Sequence, residues 1–400
     1  MSKIAIFSDL HLGSSRDSTE QLAEAVKVVE FITKKSSELG VRKIAFLGDY
    51  YHNRIFINVL TQNIGIKLIT YLKNHFESIY FIGGNHDYFY KQTQNVHSLK
   101  FLDLITDSKI QLVTKTDSIE IDDKKILFVP WLGVIPAVDQ KYDVILTHAN
   151  TEVDTIKHFF AKLKNIELEK IDDDTVNSYL FNNETVDTAS IITDSAELVN
   201  TTKFKVKHLF DLLNDTGIIF SGHFHMRDEF ERFGKRFIWI GAPLELTWAD
   251  EKNVKGFYIL DVATLQTQFF ENTFSPQHKT VLYSTIQNLT DLEIEETLKS
   301  NLNNYLKIVF DIPVQYEARA KIYSLVQRFG NVAKIEIDSA LNQTGLLTLK
   351  DVETIHPLAN KFEHIRQFVE TLKPEEFTSR NIDKLRLLEL LKHYYVRAME

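Results

Sequence analysis

Lys43–Arg54 reads KIAFLGDYYHNR. The apolar run Ile44–Leu47 stops at Gly48, Asp49 follows at once, and His52 comes three residues later. A short apolar run bounded by glycine has the signature of a buried strand, so Asp49 stands at a strand's carboxyl end. The design recurs along the chain. IAIFS is followed by Asp9 and His11, IYFIGG by Asn85, His86 and Asp87, VILT by His148, and GIIFSG by His223 and His225. Singly, each is an ordinary turn, cap or surface residue. As an ordered set, five strands end in oxygen and imidazole donors of the kind that hold divalent metals.

The intervening pattern says how these strand ends meet. Lys3–Ser8, Lys43–Leu47 and Ile79–Ile82 read as strands, and Thr19–Leu39 and Ile57–Phe76 read as helices. This β-α-β-α-β order predicts a mainly parallel sheet covered by helices. In open α/β sheets, sites form at the carboxyl ends of strands, so the donors converge on one rim. Further strands are expected at Ile110–Val113, Ser118–Ile121, Lys125–Val129, Val144–Thr147, Gly217–Ser221, Arg236–Ile240 and Gly256–Asp261, partly antiparallel because their connections are short. Asp9 and His11 are two apart, as are His223 and His225. In extended chain, such pairs face the same way. Each pair could bind one ion or serve two neighbouring ions.

The domain reading is 1–272 for the main α/β body, with an insertion at about 150–205, 273–350 for a small α+β domain, and 351–400 for a linker and terminal helix. The small domain rests on a β-α-β unit at Leu306–Ile312, Gln315–Phe329 and Val332–Ile337. The terminal helix, Asn381–Met399, carries one apolar stripe through Ile382, Leu385, Leu388 and Leu391.

Composition narrows the chemistry. The 400 residues include no cysteine, which excludes disulfides and thiolate ligands and favours a reducing compartment. The N-terminus lacks the pattern of a signal peptide and no apolar run is long enough to span a bilayer, so a cytoplasmic protein without a membrane is expected. The net charge of −9 is unlike that of a protein binding DNA through a basic surface. Any DNA phosphate must then be offset by local patches, metal ions or a partner.

The ordered set D-x-H, G-D, G-N-H-D, H and G-H-x-H resembles the calcineurin-like metallophosphoesterase superfamily. It is carried by Asp9/His11, Gly48-Asp49, Gly84-Asn85-His86-Asp87, His148 and Gly222-His223-Phe224-His225. The resemblance implies a β-sandwich flanked by helices, with a small capping domain and a C-terminal helix. It implies one metal held by Asp9, His11, Asp49 and His225, and a second held by Asp49, Asn85, His148 and His223. His86 would be the acid that is not a ligand. Manganese is expected first, with magnesium, iron or zinc as alternatives.

His52, where phosphoprotein phosphatases continue differently after G-D-Y, makes the chain most similar to SbcD-type nucleases of double-strand-break repair. In those, this histidine is linked to orienting the DNA phosphate. The resemblance implies a two-metal DNA exonuclease or endonuclease, partnered through its terminal helix with an SbcC-type coiled-coil ATPase and forming a homodimer. The rival readings are a general metallophosphatase or small-molecule phosphodiesterase, and a scaffold of the same fold without catalysis.

Overall fold

The computed structural model describes residues 2–90, 93–104, 109–148, 206–327 and 332–337. The expected insertion at about 150–205 and the helix Asn381–Met399 lie outside them.

Four parallel strands open the fold: β1 (Lys3–Phe7), β2 (Lys43–Phe46), β3 (Ser78–Ile82) and β4 (Ile110–Val113). Helix α1 (Thr19–Glu38) joins the first two and α2 (Val59–His75) joins the second and third. Ser18 caps α1 by accepting from the Gln21 amide at 3.3 Å, and Asn58 caps α2 by accepting from Leu60 at 2.8 Å. The chain then builds a second sheet from β5 (Asp117–Ile121), β6 (Lys124–Val129), β7 (Tyr142–Thr147), β8 (Leu213–Ser221), β9 (Asp228–Arg232) and β10 (Lys235–Trp239). It returns to the first sheet with β11 (Gly256–Asp261) and β12 (Thr267–Glu271).

The sheet orders are β12-β11-β1-β2-β3-β4 and β5-β6-β7-β8-β10-β9. β11 runs antiparallel to β1, and β12 to β11. In the second sheet β6, β7, β8 and β10 are parallel, while the edge strands β5 and β9 are antiparallel to their neighbours.

Side chains alternate across each strand. Ile4, Ile6, Ala45 and Ile82 of the first sheet pack with Ile126, Phe128, Val144, Leu146 and Phe220 of the second, forming the sandwich interior. Ala5, Phe7, Ile44, Phe46 and Phe81 face the other way, against Leu22, Val29 and Ile32 of α1 and Leu68 and Leu72 of α2. The outer face of the second sheet buries Ile145, Ile219, Phe237 and Trp239 with Leu209 and Leu212, the latter two from α3 (Val206–Leu212). Burial on both faces explains why the central strands read as unbroken apolar runs. This is an α/β sandwich flanked by helices.

The chain divides into two compact units, the first being Met1–Lys279 with Asn303–Tyr305. A three-stranded sheet, all but its first residues in the second unit, runs in the order β13 (His278–Leu282), β14 (Tyr305–Phe310), β15 (Val332–Ile337), with β14 and β15 parallel. Ile294 and Leu298 of α4 (Asp291–Ser300) and Ile322 and Leu325 of α5 (Tyr316–Gln327) pack on Ile308 and Phe310. A capping box, Thr290 with Glu293, starts α4.

Candidate metal centre

The loops after β1 and β2 zip together past the end of the sheet. The Asp9 amide donates to the Gly48 carbonyl at 3.0 Å, His11 to Asp49 at 3.0 Å, Leu12 to Tyr50 at 2.9 Å and His52 back to Leu12 at 2.9 Å. This lattice forces unusual backbone. Asp9, His11 and Asp49 have φ of 55°, 45° and 61°, and His223, in the loop after β8, has 77°. Such left-handed conformations cost non-glycine residues about 1–2 kcal/mol each, and persist where the surroundings over-determine them. Gly48, at φ 98°, must be glycine for a second reason: a Cβ there would lie 2.4 Å from His148 Nδ1.

Three clusters of ligand atoms result, each within 4.8 Å: Asp9, His11 and His225; Asp49, His148 and His223; and His11, His52 and His86. Asp49 lies between the first two. One of its oxygens is 3.5 Å from His11 Nε2 and the other 3.4 Å from His148 Nε2. Asn85 joins the second cluster, with Oδ1 3.0 Å from His148 Nε2 and 2.9 Å from His223 Nδ1. All nine residues singled out in the sequence therefore lie in one neighbourhood.

The donor chemistry fits divalent ions. His11 and His225 point Nε2 atoms at each other across 3.0 Å. Asp9 Oδ1 is fully buried and has no hydrogen-bond partner among the described residues. His148 Nδ1 donates to the Leu47 carbonyl at 2.5 Å, which turns Nε2 toward Asp49 and Asn85, both acceptors. Convergent acceptors and lone pairs in a buried space are what a cation satisfies. Without one, protons must do so. Burial opposes the His148 cation, but the Asp49 carboxylate carries its pKa up to about 9. Burial, followed by the charge of His11, pushes His225 down to about 4.

His86 and His52 form the third side of the site. The His86 ring stands edge-on to His11 at 4.7 Å between centroids and stacks on His52 at 5.5 Å. Its Nδ1 donates to the His52 carbonyl at 2.5 Å, so Nε2 is the nitrogen left for chemistry. Its amide donates to Asp49 at 2.7 Å. Burial first, then His11 and His86, lowers His52 to about 4.

Asp87 lies beneath the cluster and accepts from the amides of Asp49 and Gly84 at 2.9 Å and of Tyr50 at 3.1 Å. Burial and the Asp49 charge nevertheless raise it to about 7.

Two contributions escaped the sequence reading as site parts. Trp131 packs its ring 5.2 Å from that of His223 and walls the second cluster. Its position straight after the run ILFVP was the available signal. Lys255 reaches the His225 carbonyl at 2.7 Å, and no local pattern marks it.

Residues 2–227, which include all nine residues singled out in the sequence, match the family described as calcineurin-like phosphoesterase. The chain belongs to this family. This calcineurin-like phosphoesterase is similar to exonuclease subunit 1 of Enterobacteria phage T4, with 21% identity over 290 residues, covering 70% of each protein. Among solved structures it is similar to the zinc complex of Vps29 from Entamoeba histolytica, at 12% identity and TM-score 0.28, covering 67% of this chain and 91% of that one. A hypothetical protein from Pyrococcus horikoshii gives 11% identity and TM-score 0.32, covering 74% and 94%. No helix among the described residues is long and apolar enough to cross a membrane.

Proposed function

We propose that this calcineurin-like phosphoesterase is a two-metal phosphodiesterase that cleaves DNA, acting as the nuclease subunit of an ATPase-coupled repair or recombination complex. The observation that carries the chemistry is the pair of donor clusters sharing Asp49, with a fifth histidine, His86, beside them. Asp9, His11, Asp49 and His225 would hold one ion, and Asp49, Asn85, His148 and His223 the other. Manganese suits this oxygen and imidazole set. Such ions polarise phosphoryl oxygens and lower the pKa of water.

The chain's own residues do the rest. His86, anchored through Nδ1, presents Nε2 to the leaving group. Water gives up one proton to solvent as it attacks phosphorus, the bond to the 3′ oxygen breaks, the His86 proton goes to that oxygen, and His86 is reprotonated from solvent. Burial lowers the proton affinity of His86, and an anionic phosphodiester beside the ring restores it. His52, stacked on His86, borders the phosphate and orients it.

DNA as substrate is supported by the similarity to the phage exonuclease subunit and by His52 at the cluster's edge. A partner fits the same relative, which is named as a subunit. We place an SbcC-type coiled-coil ATPase on the segment Asn381–Met399, for which the sequence pattern predicts a helix, and a capping domain at 273–350. A homodimer is supported by the segment entering α2, where Ile55, Phe56 and Val59 are 72%, 64% and 81% exposed.

The deciding experiment is cleavage of linear duplex DNA with Mn2+, alone and with an SbcC-type partner plus ATP. Degradation of DNA supports the proposal. Cleavage of a generic aryl phosphodiester with DNA left intact would replace it with a small-molecule phosphodiesterase.

A further inference from the structure

His225 lies in a loop outside the strands, yet its carbonyl is held twice. The Ala242 amide donates to it at 3.0 Å, and Lys255 Nζ donates at 2.7 Å. Lys255 is 4% exposed and also donates to Asp250 Oδ1 at 2.7 Å. Asp250 is itself fixed. Its other oxygen accepts from the amides of Leu246 at 3.1 Å and Thr247 at 3.0 Å, closing a capping box on the single turn Trp248–Asp250. The Asn253 side chain accepts from the Arg227 amide at 3.0 Å, clasping the same loop two residues on. Gly241, at φ 76°, lets the strand end approach: a Cβ there would lie 2.9 Å from the His225 carbonyl.

Burying an ion pair is costly, and an apolar pair of equal volume stabilises a fold as well or better. What an apolar pair cannot do is aim a donor at a chosen carbonyl. Here the ammonium is aimed at the backbone of a residue whose imidazole faces Asp9 and His11.

We propose that Lys255, braced by Asp250, is a positioning residue for His225, fixing its imidazole so that the Asp9, His11 and His225 cluster is assembled before a cation arrives. The inference rests on the metal-site reading above. Without the pair, the His225 carbonyl loses its charged donor and keeps the Ala242 amide, His225 swings, and one ion site weakens while the site of Asp49, Asn85, His148 and His223 does not.

The test is Mn2+ titration of the metal-free full chain by calorimetry, with the electron paramagnetic resonance spectrum as second readout. The variant is Lys255→Met with Asp250→Asn, which leaves no buried charge unpaired. Wild type is expected to bind two ions with a spin-coupled spectrum. The variant keeps one site and loses at least about tenfold in affinity at the other, and the coupled spectrum gives way to that of isolated Mn2+. In a His225→Ala background, which already carries that loss, the pair variant adds nothing.

Should the double variant not fold, Asp250→Asn alone takes its place. Its amide oxygen still serves Leu246 and Thr247 while its NH2 turns Lys255 away, and the same selective loss is expected. Two sites unchanged, an equal loss at both, or a further loss in the His225→Ala background would overturn the inference and leave the metal sites standing. A wild-type chain that binds no Mn2+ overturns the metal-site reading first and this inference with it.

Discussion

A Cβ added to Gly84 would lie 2.3 Å from Asp49 Oδ1 and 2.4 Å from the Asp49 amide nitrogen, where ordinary contact begins at 3.4 Å. Gly84→Ala therefore demands that two strand-end loops part by roughly 1 Å. The nitrogen is backbone, so no rotamer change relieves the overlap. The Asp49 amide would be drawn from Asp87, to which it donates at 2.9 Å, and the Asp49 carboxylate from the His86 amide at 2.7 Å.

Overpacking of this kind costs about 1–3 kcal/mol. At roughly 2–4 °C per kcal/mol for a domain of this size, Tm falls by about 2–12 °C. The catalytic loss is larger in proportion, because a displacement near 1 Å costs about 100-fold in rate, or about 2.7 kcal/mol of barrier. Thermal melting followed by circular dichroism measures the first, and Mn2+-dependent turnover of bis(p-nitrophenyl) phosphate the second. A variant that melts within about 1 °C of wild type and turns over within about twofold would refute the claim that Gly84 and Asp49 are locked together.

Three other outcomes follow from the same geometry. His86→Ala should retain Mn2+ binding by calorimetry while turnover drops by about 10²–10⁴, the range for a lost general acid; unchanged turnover would remove His86 from the mechanism. Phe56→Glu with Val59→Glu should shift the protein to monomer in analytical ultracentrifugation with its melting temperature kept, since both side chains are exposed. Asp143 is opposed by burial but accepts from the Lys125 amide, Lys124 Nζ and Asn214 Nδ2, and its pKa is lowered from 3.8. A lowered carboxylate contributes stability above its ordinary pKa that is lost as pH falls through the folded value. Acid titration of stability should therefore be shallower below 3.8 in Asp143→Asn than in wild type.

The central strands were legible because burial on both faces leaves no polar position to interrupt them. β1, β2 and β3 stand where their apolar runs predict, and so do the two helices between them. β9 was not legible. Its sequence DEFER carries charge at four of five positions, as suits an edge strand paired on one side only. β12, TQFFE, is an edge of the other sheet; it buries no residue fully and has two apolar residues in five, so no apolar run marked it. The division into two sheets was also hidden. Ile126 and Ile4 read alike, and only packing reveals that they meet across the sandwich.

At the site, what could be read was each donor's place after a strand. What could not be read was whatever arrives from elsewhere. Trp131 looks like any aromatic after an apolar run, and Lys255 like any surface lysine, until the fold carries one to His223 and the other to the His225 carbonyl.

The clusters draw on both sheets, and their members run from Asp9 to His225. No shorter stretch of the chain holds both of the first two clusters, since the first alone runs from Asp9 to His225. During synthesis the first cluster waits for its last member until residue 225 has left the ribosome, about 10–45 s after the first residue at usual elongation rates. Until then the nascent polypeptide lacks the full set of donors, and whatever phosphoester this family member acts on meets no finished centre.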